Sequence, residues 1–280
     1  MPSDPIPALK AFGYTERESA FLYLVAAHSG YFLRRQFDYF IDRTKGSIVL
    51  RFLRKARVAG HIESLDYPQG WHVYHVVSRT IYRLLGDPGS PLRRSKGDAQ
   101  VRARLMALDF VLENADDHYL ASEEERIHFF GSVRGVAPER YMGHKGRLDP
   151  LLAAFPISIV DRARPEYSRV SFTFVDEGLA STGKFCRFLF TAEPLLRAVG
   201  NFELIYIATT DARFREAKAA FWKCFAGDSV ADSMLFSDGL RPVSSQSRSR
   251  LHAQFSTLLL GGSYPNLQRS EVRGSARVRS

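Results

Sequence analysis

The side chains best able to do chemistry are carboxylates in the second half of the chain. Asp176-Glu177-Gly178 follows a run of apolar residues, with Asp161 before that run and Lys184 after it. Two carboxylates can hold Mg²⁺, and a lysine beside them can orient water or stabilise charge. The simpler interpretation of Asp176 and Glu177 is a turn that ends a strand at Gly178.

Other chemical signatures are missing from the sequence. Asp116-Asp117-His118 and Glu123-Glu124-Glu125 lack the spacing of metal ligands. The chain contains neither G-x-x-x-x-G-K-[ST] nor G-x-S-x-G, so neither a P-loop nor a nucleophile elbow is indicated. Cys186 and Cys224 are too few and too far apart for a zinc motif, and they predict reduced structural thiols. We therefore predict no catalytic residue, no metal site and no cofactor.

Positive charge is concentrated at the two ends of the chain, which has a net charge of +9. Residues 1–100 carry 15 basic and 9 acidic side chains, and residues 241–280 carry 7 and 1. The middle, residues 101–240, carries 17 basic and 20 acidic side chains. A basic end beside a nearly neutral middle indicates a polyanionic partner held by one part of the chain. The alternative is a soluble protein of high isoelectric point without such a partner.

The strongest basic element is a helix predicted over residues 45–59. Its apolar residues recur at i, i+3, i+4 and i+7, which predicts one buried stripe: Val49, Phe52, Leu53 and Ala56. The cations of the helix lie off that stripe. Between Arg34 and Arg57 the chain has 8 basic and only 2 acidic residues.

A helix of this kind suits the major groove of DNA, whose phosphates attract Lys and Arg. Residues near the start of such a helix reach base edges, and later ones meet the backbone. We therefore assign base contacts to Lys45, Ser47 and Arg51. Phosphate contacts are assigned to Arg34, Arg35, Arg54 and Lys55. The alternative is an ordinary solvated basic face.

The elements around this helix predict a winged helix-turn-helix domain over residues 10–86. Thr15-Glu16-Arg17-Glu18 is a capping box that starts a helix ending near Gly30, and a second helix spans residues 34–41. Alternating apolar residues over 61–76, with a turn at 67–70, predict a β-hairpin, the wing. Trp71, His72 and Tyr74 could contact the minor groove or the DNA backbone, but we expect Trp71 to close this hairpin over the core.

The remaining chain predicts a connecting segment, a second domain and a tail. Residues 87–114 comprise a Gly- and Pro-rich linker and a helix that could dimerise or bridge to the next domain. Residues 115–228 alternate helices and strands, which predicts a small α/β domain with a central mixed sheet. Residues 229–280 predict a mostly disordered basic tail with one short helix near 251–260. No secretion signal or membrane span is indicated, so we expect a cytoplasmic protein.

This order of parts resembles the replication-relaxation family of plasmid and mobile-element proteins. The resemblance covers about residues 12–225 and rests on six segments: residues 14–18, Leu53 through Ile62, residues 74–78, Phe155-Pro156, residues 172–178 and FELIYIATT. It implies an N-terminal winged helix and a C-terminal domain like the PD-(D/E)XK nucleases. The family pattern puts an acid after Pro and acid-x-Lys on the next strand. Here Ile157 follows Pro156, and no lysine stands two positions beyond Asp176 or Glu177.

The sequence therefore predicts a sequence-specific or semi-specific double-stranded DNA-binding protein without enzymatic activity. It would act as a transcriptional regulator or as an accessory protein in replication or transfer of a mobile element, with homodimerisation as one option and no membrane partner. The alternatives are a metal-dependent nuclease of the PD-(D/E)XK type, in which Asp161 and Lys184 stand in for the missing motif residues, and a winged-helix module that binds proteins.

Overall fold

The computed structural model describes residues 5–42, 47–67, 71–178, 182–210 and 212–225, together with the backbone of residues 252–257. Its contacts divide the chain into two compact units. The first runs to Leu108 and the second covers Asp109–Leu259, so the division falls inside one long helix. In the described part of the chain no helix is both long and apolar enough to cross a bilayer.

The first unit combines helices with a small antiparallel sheet. Strand β3 lies between β1 and β2, with Phe32 opposite Tyr74 and Ser64 opposite Tyr74 on the other side. Its elements are α1 (Pro5–Lys10), α2 (Glu16–His28), β1 (Tyr31–Leu33), α3 (Arg34–Phe40), α4 (Ser47–Val58), β2 (Ile62–Tyr67), β3 (Trp71–Val76), α5 (Arg79–Leu84) and α6 (Asp98–Glu113), whose last residues belong to the second unit.

Local sequence signals explain most of these helices. The Thr15 hydroxyl caps α2 by accepting from the Glu18 amide, and the Thr15 amide donates to the Glu18 carboxylate, which completes the predicted capping box. Helix α4 buries its predicted apolar stripe and exposes the opposite side. The segment Tyr31–Leu33, which lies between the two predicted helices, is a strand paired with β3. Three residues are too few to show a strand periodicity, so this strand was missed.

The core of the first unit is aromatic and lies between the helices and the sheet. Phe52 of α4 is fully buried, with its ring centroid 4.3 Å from that of Phe37 in α3. Phe21 of α2 lies 4.8 Å from Phe37 and 5.2 Å from Phe32 in β1. These contacts hold α4 at a fixed position on the sheet, and its exposed side is fixed with it.

A second cluster forms where α6 meets the hairpin. It contains Tyr31, Leu33, Tyr67, Val73, Val101 and Leu105, with Leu65 and Trp71 packed against them. The expectation that Trp71 closes the hairpin over the core is therefore confirmed. In addition, Gln36 donates from Nε2 to the Leu105 carbonyl at 2.8 Å and accepts from the Leu33 amide.

The predicted linker is packed against the first unit. The His75 ring stacks on Tyr31 at 4.1 Å and makes a 3.0 Å hydrogen bond to the Leu92 carbonyl. The Lys96 amide donates to the Tyr31 hydroxyl. Gly30 has a φ of +78°, and a Cβ there would lie 2.6 Å from the Leu92 carbonyl oxygen. Only glycine allows both this backbone conformation and this close approach.

The second unit has a mixed five-stranded sheet of order β4-β5-β6-β7-β8. The first three strands pair antiparallel, and β6, β7 and β8 pair parallel. The predicted combination of helices with a mixed central sheet is confirmed. Its elements are β4 (His118–Tyr119), α7 (Glu123–His128), α8 (Pro150–Ala153), β5 (Ile157–Ile159), β6 (Val170–Asp176), α9 (Gly183–Val199), β7 (Phe202–Ala208), α10 (Phe214–Phe225) and β8 (His252–Thr257).

The parallel strands β6 and β7 form the buried centre of the second unit. Every residue of each strand is buried, as continuous apolar strands covered on both faces require. Phe174 of β6 lies 4.9 Å from Phe185 and 5.2 Å from Phe188 of α9, and it stacks on Tyr206 of β7. These contacts fix the start of α9 beside the end of β6.

One prediction for the C-terminal region is wrong. The apolar segment near residues 251–260 was expected to form a short helix, but the backbone of His252–Thr257 is a strand parallel to β7. The sequence explains the difference, because Leu251, Ala253 and Phe255 alternate with the polar residues His252, Gln254 and Ser256 at a period of two. The rest of the predicted tail lies outside the described residues.

Candidate nucleic-acid interface

The solvent-facing side of α4 carries three of the seven predicted contact residues. Successive residues of an α-helix are separated by about 100°. Ser47, Arg51 and Arg54 therefore fall on one side, opposite the buried Val49 and Ala56, and all three are exposed. Within the described residues, no carboxylate forms an ion pair with Arg51 or Arg54. Both guanidinium groups are available to an external anion.

Arg57 extends this basic side and was not assigned to DNA from the sequence. It is exposed one turn beyond Arg54. The signal was available, because three positions along a helix return to nearly the same side. Arg57 also lines a cleft with the hairpin residues Glu63, Asp66 and His72. The positive surface therefore meets carboxylates at the C-terminal end of α4.

The hairpin surface in this cleft is acidic. His72 Nδ1 lies 2.7 Å from Asp66 Oδ1, and this hydrogen bond, followed by one from Ser64, lowers the pKa of the Asp66 carboxyl. An ionised Asp66 repels phosphate. The described part of the hairpin therefore offers less to a polyanion than α4 does. Its tip, residues 68–70, lies outside the described residues.

Lys55 contacts groups of its own unit. Its ammonium forms an ion pair with Glu18 and donates to the Gly13 carbonyl at 2.9 Å. It also lies 5.0 Å from the centre of the Tyr14 ring. Burial, followed by the charge of Glu18, raises the pKa of the Tyr14 hydroxyl, so the ring remains neutral. The structure thus places Lys55 in an internal ion pair that holds α4 against α2.

Replacement of Lys55 separates this internal role from phosphate binding. We expect Lys55→Met to lower the free energy of unfolding by about 1–3 kcal/mol, because the buried Glu18 loses its charged hydrogen-bond donor. Urea denaturation would measure the loss. The salt dependence of DNA binding should not change. Arg54→Met on the same helix is the control, with little loss of stability and a reduced salt dependence. A reduced salt dependence for Lys55→Met without a loss of stability would instead show that Lys55 contacts phosphate.

The remaining predicted residues lie at different positions in α3 and before α4. Arg34 is exposed, with Nε 3.6 Å from Asp38 Oδ2 one turn along α3. Burial raises the pKa of the Asp38 carboxyl, and the charge of Arg34 opposes this shift. Arg35 is half-buried. Lys45 lies outside the described residues. The described contact set is therefore centred on the exposed side of α4.

Two acidic residues at the end of β6, Asp176 and Glu177, each form an ion pair. Asp176 accepts a hydrogen bond from the Tyr206 hydroxyl, and Arg213 Nη1 lies 3.4 Å from both of its oxygens. Lys184 Nζ donates to the two oxygens of Glu177 at 3.0 and 2.8 Å. Burial, followed by the hydrogen bond to Asp176, raises the pKa of the Tyr206 hydroxyl. Each carboxylate is therefore neutralised by a cation of the protein.

This arrangement does not fit a Mg²⁺ site. Both carboxylates are buried and paired with cations, whereas Mg²⁺ needs oxygen ligands and room for several waters. Among the described residues, no group of three or more His, Cys, Asp and Glu side chains is placed to hold a metal ion. Asp161 is not brought to these acids, because Ile159 pairs with Val170 at the start of β6 whereas Asp176 is the last residue of that strand.

Comparisons of the chain with models of known protein families, with curated proteins and with solved structures find no match.

Proposed function

We propose that the first unit is a winged helix-turn-helix domain that binds double-stranded DNA through α4. The observation that carries the proposal is the pair of exposed guanidinium groups, Arg51 and Arg54, opposite a buried apolar stripe. A helix whose far side is fixed by packing can present these cations to the major groove without rearrangement. The antiparallel hairpin β2–β3 that follows α4 occupies the place of the wing.

The DNA contacts that we propose differ from those predicted from the sequence, because Arg57 is added and Lys55 is left out. Ser47 and Arg51, near the start of α4, are assigned to base edges, and Arg54 and Arg57 to phosphates. Arg34 and Arg35 of α3 remain candidates for backbone contact. Lys55 is left out because its ammonium is bound to Glu18. In a cell such a protein would serve as a transcriptional regulator or as an accessory protein of mobile-element replication or transfer.

A gel-shift experiment with random-sequence duplex DNA at low salt tests the proposal. A basic protein that binds the major groove also binds any duplex weakly through its phosphates, with dissociation constants of roughly 10⁻⁴–10⁻⁶ M at physiological salt. This non-specific binding becomes tighter at lower salt. We therefore expect a retarded band that disappears as salt rises. A protein-interaction module would leave the duplex unshifted at every salt concentration, and that result would refute DNA binding.

A metal-dependent nuclease is the alternative that the sequence leaves open. The fold brings Lys184 to the acidic end of β6, where it forms an ion pair with Glu177, and this pair occupies the carboxylate that a metal ion would need. Incubation of plasmid DNA with Mg²⁺, with the wild-type chain and with Asp176→Ala, separates the two candidates. Because both carboxylates are paired internally, we expect no cleavage by either protein. Cleavage that Asp176→Ala abolishes would establish the nuclease instead.

A further inference from the structure

One large apolar side chain lies among the cations of α4. Leu50 is 52% exposed, although its neighbours Val49 and Phe52 are buried. At about 100° per residue, Leu50 lies about 60° around the helix from Ser47 and about 40° from Arg54. It therefore belongs to the same solvent-facing side as the proposed contact residues, within the first turn of the helix.

A single exposed leucine needs no explanation on an ordinary surface. Its position here is more informative, because Arg51 and Arg54 would draw this side of α4 toward phosphates. A leucine beside Arg54 on this side would then be pressed against the floor of the groove. The C5-methyl group of thymine is the apolar group that base pairs present in the major groove.

We infer that Leu50 is a specificity-determining residue that contacts the methyl group of thymine. The inference rests on the proposed function and adds to it the base that α4 favours near its start. Arg51 and Arg54 would supply affinity through charge, and Leu50 would distinguish thymine from the other bases by contact with an apolar group. Removal of one buried methyl group from such a contact corresponds to about a fourfold loss of affinity.

Val58 offers a matched control on the same helix. It is also apolar and 84% exposed, but it lies eight residues beyond Leu50, at the end of α4. Residues that far along a recognition helix meet the sugar-phosphate backbone, which is the same for every base. We therefore expect Val58 to make no contact that depends on thymine.

The test uses the full chain and duplex DNA with and without the thymine methyl group. A pool of duplexes with a randomised core is first enriched by binding to the wild-type chain. The enriched pool is then copied once with thymidine and once with deoxyuridine, which pairs identically but lacks the methyl group. Fluorescence anisotropy at one salt concentration gives the affinity of each copy for wild type, Leu50→Ala and Val58→Ala.

We expect wild type and Val58→Ala to bind the uracil copy about fourfold more weakly than the thymine copy. Leu50→Ala should bind both copies equally, at the level at which wild type binds the uracil copy. Equal binding of both copies by wild type overturns the inference and leaves DNA binding intact. A preference for thymine that persists in Leu50→Ala also overturns it. Absence of binding to every duplex would refute the proposed function as well.

Discussion

The double variant Arg51→Ala/Arg54→Ala is expected to bind duplex DNA at least tenfold more weakly than wild type. A guanidinium that contacts a base edge contributes roughly 1–3 kcal/mol, and this is the role assigned to Arg51. Loss of a phosphate contact at Arg54 should lower the slope of log K against log salt by about one unit. Titrations at several salt concentrations measure both effects, because affinity and slope come from the same data.

A matched control removes the same charge from another helix of the first unit. Arg79 and Arg83 are exposed on α5, four positions apart, and Arg79→Ala/Arg83→Ala changes the net charge of the protein by the same amount. This variant should keep most of the affinity and the slope of wild type. If the two double variants weaken binding equally, α4 is not the contact helix and only overall charge matters.

Phe52→Ala is expected to cost about 3–5 kcal/mol of stability, the usual range for removal of a fully buried phenylalanine. Phe52 has no exposed surface, and its ring contacts those of Phe37, Phe21 and Phe32. Since these residues belong to α2, α3 and β1, the cavity would loosen α4 from all three elements. DNA binding should fall with stability, although no contact residue has been changed.

Urea denaturation would measure this loss through the fluorescence of Trp71, in a Trp222→Phe background that removes the other tryptophan. Leu50→Ala on the same helix is the control. Because Leu50 is exposed, its replacement should change stability by no more than about 0.5 kcal/mol. Equal effects of Phe52→Ala and Leu50→Ala would mean that α4 is not held by the aromatic core.

The features of α4 that the sequence predicted are those that local physics determines. A stripe at i, i+3, i+4 and i+7 must be buried somewhere, and this fixes which side of the helix faces water whatever it packs against. The exposure of Arg51 and Arg54 follows from that pattern alone. The capping box at Thr15 is equally local, because its donors and acceptors lie within one turn.

Features that depend on distant residues could not be predicted in this way. Lys55 pairs with Glu18, which lies 37 positions earlier in the chain. The residues next to Lys55 and next to Glu18 give no indication of this ion pair. Strand β1 has only three residues, and it forms because β3 pairs with it. Its conformation is decided by the neighbouring strand rather than by its own residues.

The contacts between the predicted linker and the hairpin determine which truncations of the chain keep the first unit intact. An excised fragment that stops at residue 86 would discard the Leu92 carbonyl that meets His75, and the Val101 and Leu105 side chains that cover Tyr31. The apolar side chains of β1 would then be exposed to water, and the fragment would tend to aggregate through this surface. A cut after Leu108, where the contacts divide the two units, keeps Leu92, Val101 and Leu105 with the strands that they cover.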